Sequence, residues 1–281
     1  MSRQQTHNLA VNIIKVVAAL VVIPILSVIG FIVYQGIGAI SWEFLTAPPR
    51  NGMRDGGIMP ALLGTVFLTF GTAIVAIPLA IGAAIYLAEY ARENRLTRYV
   101  RLAIVNLAGI PSIVYGLFGL GAFVLFLNFG TSILAGSLTL GIMTLPVVIS
   151  ASEEAIRSVP QEFRLVSLSL GATRWQTIRH QVLPHALPGI LTGIILGLSR
   201  AAGETAPILF TVAAFYLPEL PQSIFDQTMA LPYHLFVITT QVPGMPLQIQ
   251  YGTALVLLMV VLSLTLTATI FRSSMRRRRE W

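Results

Sequence analysis

The sequence has no cysteine and very little charge. Without cysteine the chain can form no disulfide framework and no thiolate metal site, and it has no cysteine nucleophile. Only 10% of its 281 residues are charged and 55% are hydrophobic, whereas soluble domains carry about 25% charged residues. So little charge cannot solvate a globular surface. The composition therefore excludes a water-soluble enzyme, a disordered chain and a nucleic-acid binder.

Motifs for nucleotide and metal chemistry are also missing. The phosphate-loop pattern Gly-x-x-x-x-Gly-Lys-Ser/Thr does not occur in the sequence, so we expect no ATP site of that kind in this chain. No order of serine, histidine and aspartate typical of a hydrolase stands out. The histidines lack the paired spacing of a metal-binding helix and are scattered at His7, His180, His185 and His234. We therefore expect neither catalytic residues nor a metal site.

Long apolar runs predict six membrane-spanning helices. A helix of about 20 apolar residues crosses the hydrocarbon core of a bilayer. The first run has 23 residues, which is longer than the roughly 7–15 of a signal-peptide core, and we expect it to be a retained span. The six runs cover residues 16–38, 60–88, 102–127, 132–150, 187–214 and 252–271. The predicted fold class is therefore all-α, a polytopic membrane protein with one transmembrane domain over residues 1–281.

Lysine and arginine are concentrated on one predicted side of the membrane. If both termini are cytoplasmic, all but three of the 18 lysine and arginine residues lie in cytoplasmic segments. Arg50 and Arg54 then lie outside, and Arg200 lies within the fifth run. The positive-inside rule therefore predicts that both termini are cytoplasmic. The C-terminal run Arg276–Arg279 is interpreted as a cytoplasmic anchor, with binding to acidic lipid as the alternative.

The last external loop, residues 215–250, contains five prolines and neither lysine nor arginine. It is too long for a simple turn and too apolar to be fully solvated. Two interpretations remain open. In the first, the loop lies on the membrane surface or docks an external partner. In the second, it is a re-entrant or interfacial segment.

The cytoplasmic loop after the fourth run, residues 151–186, contains a short amphipathic pattern. Apolar residues at helical spacing form a stripe that a glycine interrupts. The apolar residues are Phe163, Val166, Leu170, Trp175 and Ile178, and the interrupting glycine is Gly171. The pair Leu183-Pro184 is expected to end the helix, because proline clashes with a continuing helix. A short helix of this kind suits docking into a groove of another protein, and a helix lying on the bilayer is the alternative.

This loop resembles the EAA loop of ABC-importer permeases. In that family a glycine stands about twelve residues before a Leu-Pro pair, as Gly171 and Leu183-Pro184 do here. The acidic residue of the family pattern is absent, since Leu165 occupies its position. The resemblance implies a coupling helix that fits a cleft on an ATPase subunit. The residues expected to make this coupling are Phe163, Arg164, Ser167, Leu170, Gly171, Ala172 and Trp175.

Two charged residues lie about midway along the fifth run. Arg200 and Glu204 are four residues apart, so they share one helix face and can pair. A charge at the centre of a membrane helix costs roughly 2.5–3.5 kcal/mol on insertion scales. Arg200 would hold a tetrahedral oxyanion. Glu204 would neutralise Arg200 in the empty site and prevent tight anion binding. Thr205, which directly follows Glu204, is a further candidate residue of this site. A structural pair facing the bundle interior is the alternative.

The third run contains polar residues beside a predicted break. Gly109 and Pro111 are expected to break or kink this helix. Broken helices of transporters expose backbone groups along the substrate path, so Asn106, Ser112 and Tyr115 are candidates for lining that path. The alternative is that the small residues serve close helix packing and that Tyr115 is hydrogen-bonded internally.

Two sequence segments indicate a more specific family. GIPSIVYGLFG (residues 109–119) and RAAGETAPILF (residues 200–210) resemble the phosphate-specific ABC permeases, and the continuation Ala206-Pro207 resembles their PstA-type subunit. The similarity covers essentially the whole chain. It implies a binding-protein-dependent inner-membrane component with the MetI-like fold of type I importers, located in the bacterial inner membrane.

The same resemblance implies a function and partners. The chain would be a permease subunit of an ATP-driven importer for inorganic phosphate, and not an enzyme. A PstC-type permease would form the other half of the pathway, two PstB-type subunits would bind ATP and magnesium, and a PstS-type protein would deliver phosphate from outside. A permease for another oxyanion, such as sulfate or molybdate, and a stand-alone secondary transporter remain alternatives.

Overall fold

The computed structural model describes residues 3–277, and in this range the chain is mainly helical. The only sheet among these residues is an antiparallel pair of two short strands, β1 (Pro49–Arg50) and β2 (Asp55–Gly56). The α-helices are α1 (Arg3–Gly36), α2 (Trp42–Thr46), α3 (Met59–Ile85), α4 (Arg95–Ala108), α5 (Ser112–Gly119), α6 (Ile133–Arg157), α7 (Gln161–Ser169), α8 (Arg174–Thr177), α9 (Leu183–Gly203), α10 (Ala206–Leu209), α11 (Leu231–Thr240) and α12 (Leu247–Arg277). The predicted all-α fold class is confirmed.

Five of the six predicted spans are candidate spans in the structure, and the predicted third span corresponds to a bent pair of helices. Five helical stretches of the described residues are long and apolar enough to cross a membrane: Val11–Ala39, Met59–Tyr90, Ile133–Arg157, Arg174–Gly203 and Leu247–Thr267. The bent pair consists of Arg95–Ala108 and Ser112–Phe126, which meet at an angle of 101° and together pass the same test of length and composition. The predicted break at Gly109 and Pro111 is therefore confirmed. Proline has no amide hydrogen, and it disfavours the helical conformation at the residue before it.

The fifth span begins earlier than the sequence predicts. It covers Arg174–Gly203 instead of residues 187–214. The prediction that Leu183-Pro184 ends the loop helix is wrong, because a π-helical turn at Ile178–Val182 leads directly into α9. Pro184 lies in the first turn of α9, where a missing amide hydrogen is best tolerated. The end of the cytoplasmic loop and the fifth span therefore form one continuous helical element.

The centre of the bundle consists of α3, α6 and α9, which approach one another at small residues. A Cβ atom added to Gly193 of α9 would lie 2.5 Å from the Cβ atom of Ala151 in α6. Such close approach increases the van der Waals contact on which helix association in membranes depends. Helix α1 packs at the edge of the bundle, where Phe31 and Tyr251 of α12 are in edge-to-face contact with ring centroids 5.5 Å apart.

Residues 215–250 fold into an external cap on the bundle. Leu231 and Val237 of α11 are fully buried and belong to the same hydrophobic cluster as Phe44 of α2. The amide of Leu231 donates a hydrogen bond of 2.8 Å to Oγ1 of Thr65 in α3. The loop is thus packed against the spans through α11, and both interpretations of its role stay predictions.

The last helix contains the beginning of the predicted basic anchor. Helix α12 extends to Arg277. Arg278 and Arg279 lie outside the described residues. The anchor therefore stays a prediction.

Candidate functional site

Arg200 and Glu204 form the predicted ion pair at the end of α9. Nε of Arg200 lies 3.2 Å from Oε1 of Glu204, and the two side chains are 43% and 17% exposed. The pairing is confirmed, but the predicted position midway along the helix is wrong. Helix α9 ends at Gly203, and Glu204 already has an extended backbone with φ −77° and ψ 136°. The pair therefore lies where the helix stops, and not at the centre of an apolar span.

Most of the Arg200 guanidinium is available for an anion. Among residues 3–277, its Nε alone has a hydrogen-bond partner, which is Glu204. Both terminal nitrogens can therefore donate to a ligand. A guanidinium presents its donors in a planar fork that matches the oxygens of an oxyanion. The broken third span lies close to the residues that follow Glu204, since a Cβ atom added to Gly116 of α5 would lie 3.0 Å from Cα of Pro207.

Glu204 borders a small cavity between the spans. Aliphatic side chains and two threonines line this cavity together with Glu204: Thr65, Leu68, Thr69, Leu140, Ala201, Ala202, Ile208, Ala230 and Pro232. The hydroxyls of Thr65 and Thr69 already donate to carbonyl oxygens of their own helix. Within the part of the chain that the structure describes, Arg200 is the single charged partner of Glu204.

The chain after Glu204 packs against the broken third span. Thr205 is half-buried and directly precedes α10, with its carbonyl accepting a hydrogen bond from the amide of Leu209. Helix α10 packs closely on α5, since a Cβ atom added to Gly116 would lie 2.9 Å from the carbonyl oxygen of Ala206. Transporters commonly build substrate sites from such discontinuous helices. The meeting point of α5 and α10 beside the ion pair has this arrangement.

The polar residues of the third span have different environments. The Tyr115 hydroxyl donates a hydrogen bond of 2.7 Å to the carbonyl oxygen of Leu107, which connects α5 to the end of α4 across the 101° bend. Tyr115 is only 5% exposed, so its geometry matches the internally bonded alternative. Ser112 is half-buried and Asn106 is exposed. The structure therefore associates Tyr115 with the bend and leaves the path-lining role of all three as a prediction.

The cytoplasmic loop forms two short helices separated by a glycine turn. Gly171 has φ +85°, a conformation that other residues adopt at a cost. The amide of Gly171 donates to the carbonyl oxygen of Leu168, and the amide of Ala172 donates to that of Ser167. The hydroxyls of Ser167 and Thr177 lie 2.9 Å apart and join α7 to α8. The predicted interruption at Gly171 is therefore confirmed as a helix C-terminal turn.

The predicted coupling residues face two directions. Leu170 is 83% exposed and Trp175 is 50% exposed, so both are accessible to a partner. Phe163 instead packs inward, with its ring centroid 4.9 Å from that of His185. Two further apolar side chains, Leu165 and Val166, are more than half exposed. The exposed apolar surface of this loop, which we call the docking face, consists of Leu165, Val166, Leu170 and Trp175.

Arg164 points into the bundle and connects three elements. Its Nη2 lies 2.7 Å from Oε1 of Glu89, which belongs to the π-helical turn Tyr86–Tyr90 after α3. The same guanidinium donates to the carbonyl oxygens of Ile156 and Val159 at the end of α6. Sequence reasoning named Arg164 but missed Glu89. The one available signal was an acidic residue directly after the second apolar run, and its partner lies 75 positions away.

The comparisons with known proteins agree with this architecture. Residues 76–280 match the family described as "Binding-protein-dependent transport system inner membrane component". The chain belongs to this family. It is 35% identical over 253 residues to the "Probable ABC transporter permease protein YqgI" of Bacillus subtilis (strain 168), covering 86% of each chain. It is also 38% identical to the "Phosphate transport system permease protein PstA 1" of Mycobacterium tuberculosis (strain CDC 1551 / Oshkosh), covering 80% of this chain and 73% of the relative.

A solved structure confirms the fold. The chain is similar to a chain of the structure described as "Inward facing conformations of the MetNI methionine ABC transporter: CY5 native crystal form", with a TM-score of 0.62. The similarity covers 76% of this chain and 94% of that chain at 16% identity, so it bears on the fold alone. The predicted MetI-like fold of type I importers is therefore confirmed.

Membership of the family establishes the class of protein. The chain is a multi-pass permease component of the inner membrane and not an enzyme. As a component of binding-protein-dependent ABC transport, it works with a separate ATPase and a binding protein. The stand-alone secondary transporter considered from the sequence is thereby excluded.

Proposed function

We propose that this chain is the PstA-type permease subunit of an ATP-driven importer for inorganic phosphate. The observation that carries the proposal is the Arg200–Glu204 pair at the end of α9, whose guanidinium keeps both terminal nitrogens free close to the contact between α5 and α10. A relative 38% identical over most of the chain is named as a phosphate permease. A planar fork of unpaired donors suits a tetrahedral oxyanion, and phosphate is such an anion.

We further propose the partners of this subunit. A PstC-type permease forms the other half of the pathway, and a PstS-type protein delivers phosphate from outside. Two PstB-type ATPases bind ATP and magnesium on the cytoplasmic side. The docking face supports this last assignment, because exposed leucine, valine and tryptophan side chains on a short helix pair suit a protein groove.

The geometry suggests how ATPase movement reaches the ion pair. Helix α8 continues through the π-helical turn Ile178–Val182 into α9, whose last turn contains Arg200. Arg164 keeps α7 attached to the ends of α3 and α6. Closure of the ATPases therefore moves the docking face and the spans together, as alternating access requires. Arg200 then attracts the anion, and Glu204 competes for the guanidinium so that the anion can leave.

Substitution of Arg200 tests the proposal. Arg200→Gln should abolish uptake of labelled phosphate into cells or vesicles while the assembled complex remains isolable, and Arg200→Lys should retain part of the uptake because it keeps the charge without the fork. Arg50→Gln is the matched control, since Arg50 is an exposed arginine on the external side. Normal phosphate uptake by Arg200→Gln would overturn the site. If the wild type took up sulfate or molybdate but not phosphate, the proposed substrate would be wrong.

A further inference from the structure

An open groove runs along α4, away from the Arg200–Glu204 pair and from the docking face. Its volume is about 530 Å³. Charged residues line one part of it and aliphatic residues line another: Glu93, Asn94, Arg95, Arg98, Arg101, Leu102 and Val105. None of these residues takes part in the proposed transport site.

Part of the charge in this groove is already neutralised. Arg101 forms ion pairs with Glu93 and Glu153, each with a nitrogen–oxygen distance of 2.9 Å. Arg157 pairs with the same two carboxylates at 3.3 Å and 3.0 Å. Hydrogen bonds from Arg101 and Arg157 lower the pKa of Glu93. These four residues form a balanced network that leaves Arg101 without spare charge.

Arg95 and Arg98 are not neutralised. Both side chains are exposed, and neither has an ion-pair or hydrogen-bond partner among residues 3–277. The groove therefore presents two uncompensated guanidinium groups. This excess of positive charge favours an anionic occupant.

The same face of α4 becomes apolar along its length. Residues 95, 98, 102 and 105 follow helical spacing and lie on one side of the helix. Leu102 is 48% exposed and Val105 is 62% exposed. The 101° bend at Gly109 and Pro111 turns α4 away from the axis of α5. An amphipathic helix with arginines on its polar part is typical of the membrane–water interface.

We propose that this groove binds an anionic phospholipid of the cytoplasmic leaflet. Its phosphate lies between Arg95 and Arg98, and the first part of an acyl chain lies along Leu102 and Val105. Guanidinium groups hold phosphate oxygens through paired hydrogen bonds, and the cytoplasmic leaflet supplies anionic headgroups. Free inorganic phosphate and an acidic protein surface would both use the arginines but leave the two aliphatic side chains without a partner.

Lipid retention by the assembled transporter tests the proposal. The complex is purified from its membrane, exchanged with phosphatidylglycerol or phosphatidylcholine, and analysed by native mass spectrometry. The wild type should retain phosphatidylglycerol in preference to phosphatidylcholine. Arg95→Gln combined with Arg98→Gln should weaken phosphatidylglycerol binding about tenfold or more, and Arg95→Lys with Arg98→Lys should retain much of it.

A matched variant separates this site from general surface charge. Arg92→Gln with Lys15→Gln removes the same charge from exposed residues that do not line the groove, and it should retain the lipid. Equal loss in both double variants, or displacement of the lipid by millimolar inorganic phosphate, would overturn the proposal. If the variant with Arg95→Gln and Arg98→Gln lost the ATPase subunit but retained the lipid, the surface would belong to a protein partner. That result would also overturn the proposal.

A second measurement needs no variant. A photoactivatable phosphatidylglycerol added to the wild-type complex should crosslink to the peptide that contains residues 95–105. Crosslinks found only elsewhere in the chain would contradict the assignment. Phosphate uptake is not needed for either measurement, so the result is independent of the transported substrate.

Discussion

The guanidinium of Arg164 lies 2.7 Å from the carboxylate of Glu89, although the two residues are 75 positions apart in the sequence. Both side chains are largely shielded, with exposed fractions of 19% and 12%. Because Arg164 also donates to carbonyl oxygens at the end of α6, it attaches the cytoplasmic loop to two spans at once. The loop that carries the docking face is thus part of the bundle and not an independent appendage.

Loss of Glu89 should uncouple the loop from the spans. Glu89→Gln leaves Arg164 without a counter-charge in a shielded position, which typically costs about 3–5 kcal/mol. We expect a lower unfolding temperature of the isolated subunit and reduced uptake per ATP hydrolysed. Exchanging the charges, with Glu89→Arg and Arg164→Glu, should not restore function because a carboxylate cannot donate to the carbonyl oxygens of Ile156 and Val159.

Glu162→Gln provides the control for this prediction. Glu162 is an exposed acidic residue in the first turn of the same helix α7. Its substitution should leave stability and uptake nearly unchanged. Unchanged stability and uptake in Glu89→Gln would show that the Arg164–Glu89 contact is dispensable.

Substitution of Gly171 should disturb the turn between α7 and α8. Its φ of +85° penalises any side chain, with a cost of roughly 1–2 kcal/mol, although no atom lies within 4 Å of an added Cβ. Gly171→Val should therefore reduce ATP-coupled uptake and increase hydrogen exchange over residues 161–177, and Gly171→Asn should do so less. Gly82→Ala is the control, because Gly82 is helical and also has open space around it. If Gly171→Val and Gly82→Ala had equal effects, the backbone conformation of Gly171 would not be the cause of the loss.

Removal of the docking face should weaken ATPase binding without unfolding the permease. Leu170→Ser combined with Trp175→Ala removes two exposed apolar side chains, and central anchors of this type dominate interface affinity. We expect the ATPase to dissociate about tenfold or more faster, measured with immobilised complex in detergent. Leu96→Ser, at an exposed leucine of α4, should have no such effect. Unchanged dissociation in the double variant would place the ATPase contact elsewhere.

His234 should make the external cap sensitive to acid. This residue of α11 is 2% exposed, and its Nδ1 has no hydrogen-bond partner among residues 3–277. Burial lowers the pKa of His234 to about 4, whereas an unfolded histidine has a pKa near 6.5. The unfolded state therefore binds the proton first, so stability is full above about pH 6.5 and decreases as the pH falls towards 4, by roughly 3 kcal/mol at most.

Thermal unfolding of the purified subunit between pH 8 and pH 4.5 measures this effect. His234→Leu should flatten the decrease because the uncharged residue has no proton to bind. His180→Gln, at an exposed histidine of the cytoplasmic loop, should follow the wild-type curve. If His234→Leu showed the same dependence of the unfolding temperature on pH as the wild type, other groups would cause the acid sensitivity.

The amino-acid sequence by itself determined the class of the protein, the approximate positions of the apolar runs and several local features. Hydrophobic length is a local property, so six runs could be located without any tertiary information. The break at Gly109 and Pro111 and the turn at Gly171 also follow from backbone preferences of single residues. The spacing of Arg200 and Glu204 was sufficient to predict their pairing.

The tertiary structure decided where these features lie and what they contact. Pro184 was expected to stop a helix, yet the preceding π-helical turn carries the chain into α9, and no short-range rule anticipates that turn. The span ends at Gly203 and not at residue 214; Glu204 has an extended backbone, and the following α10 packs against α5. Phe163 and Arg164 share a helix with the docking face but point inward to His185 and Glu89. Their roles depend on partners far away in the sequence, and only packing brings such partners together.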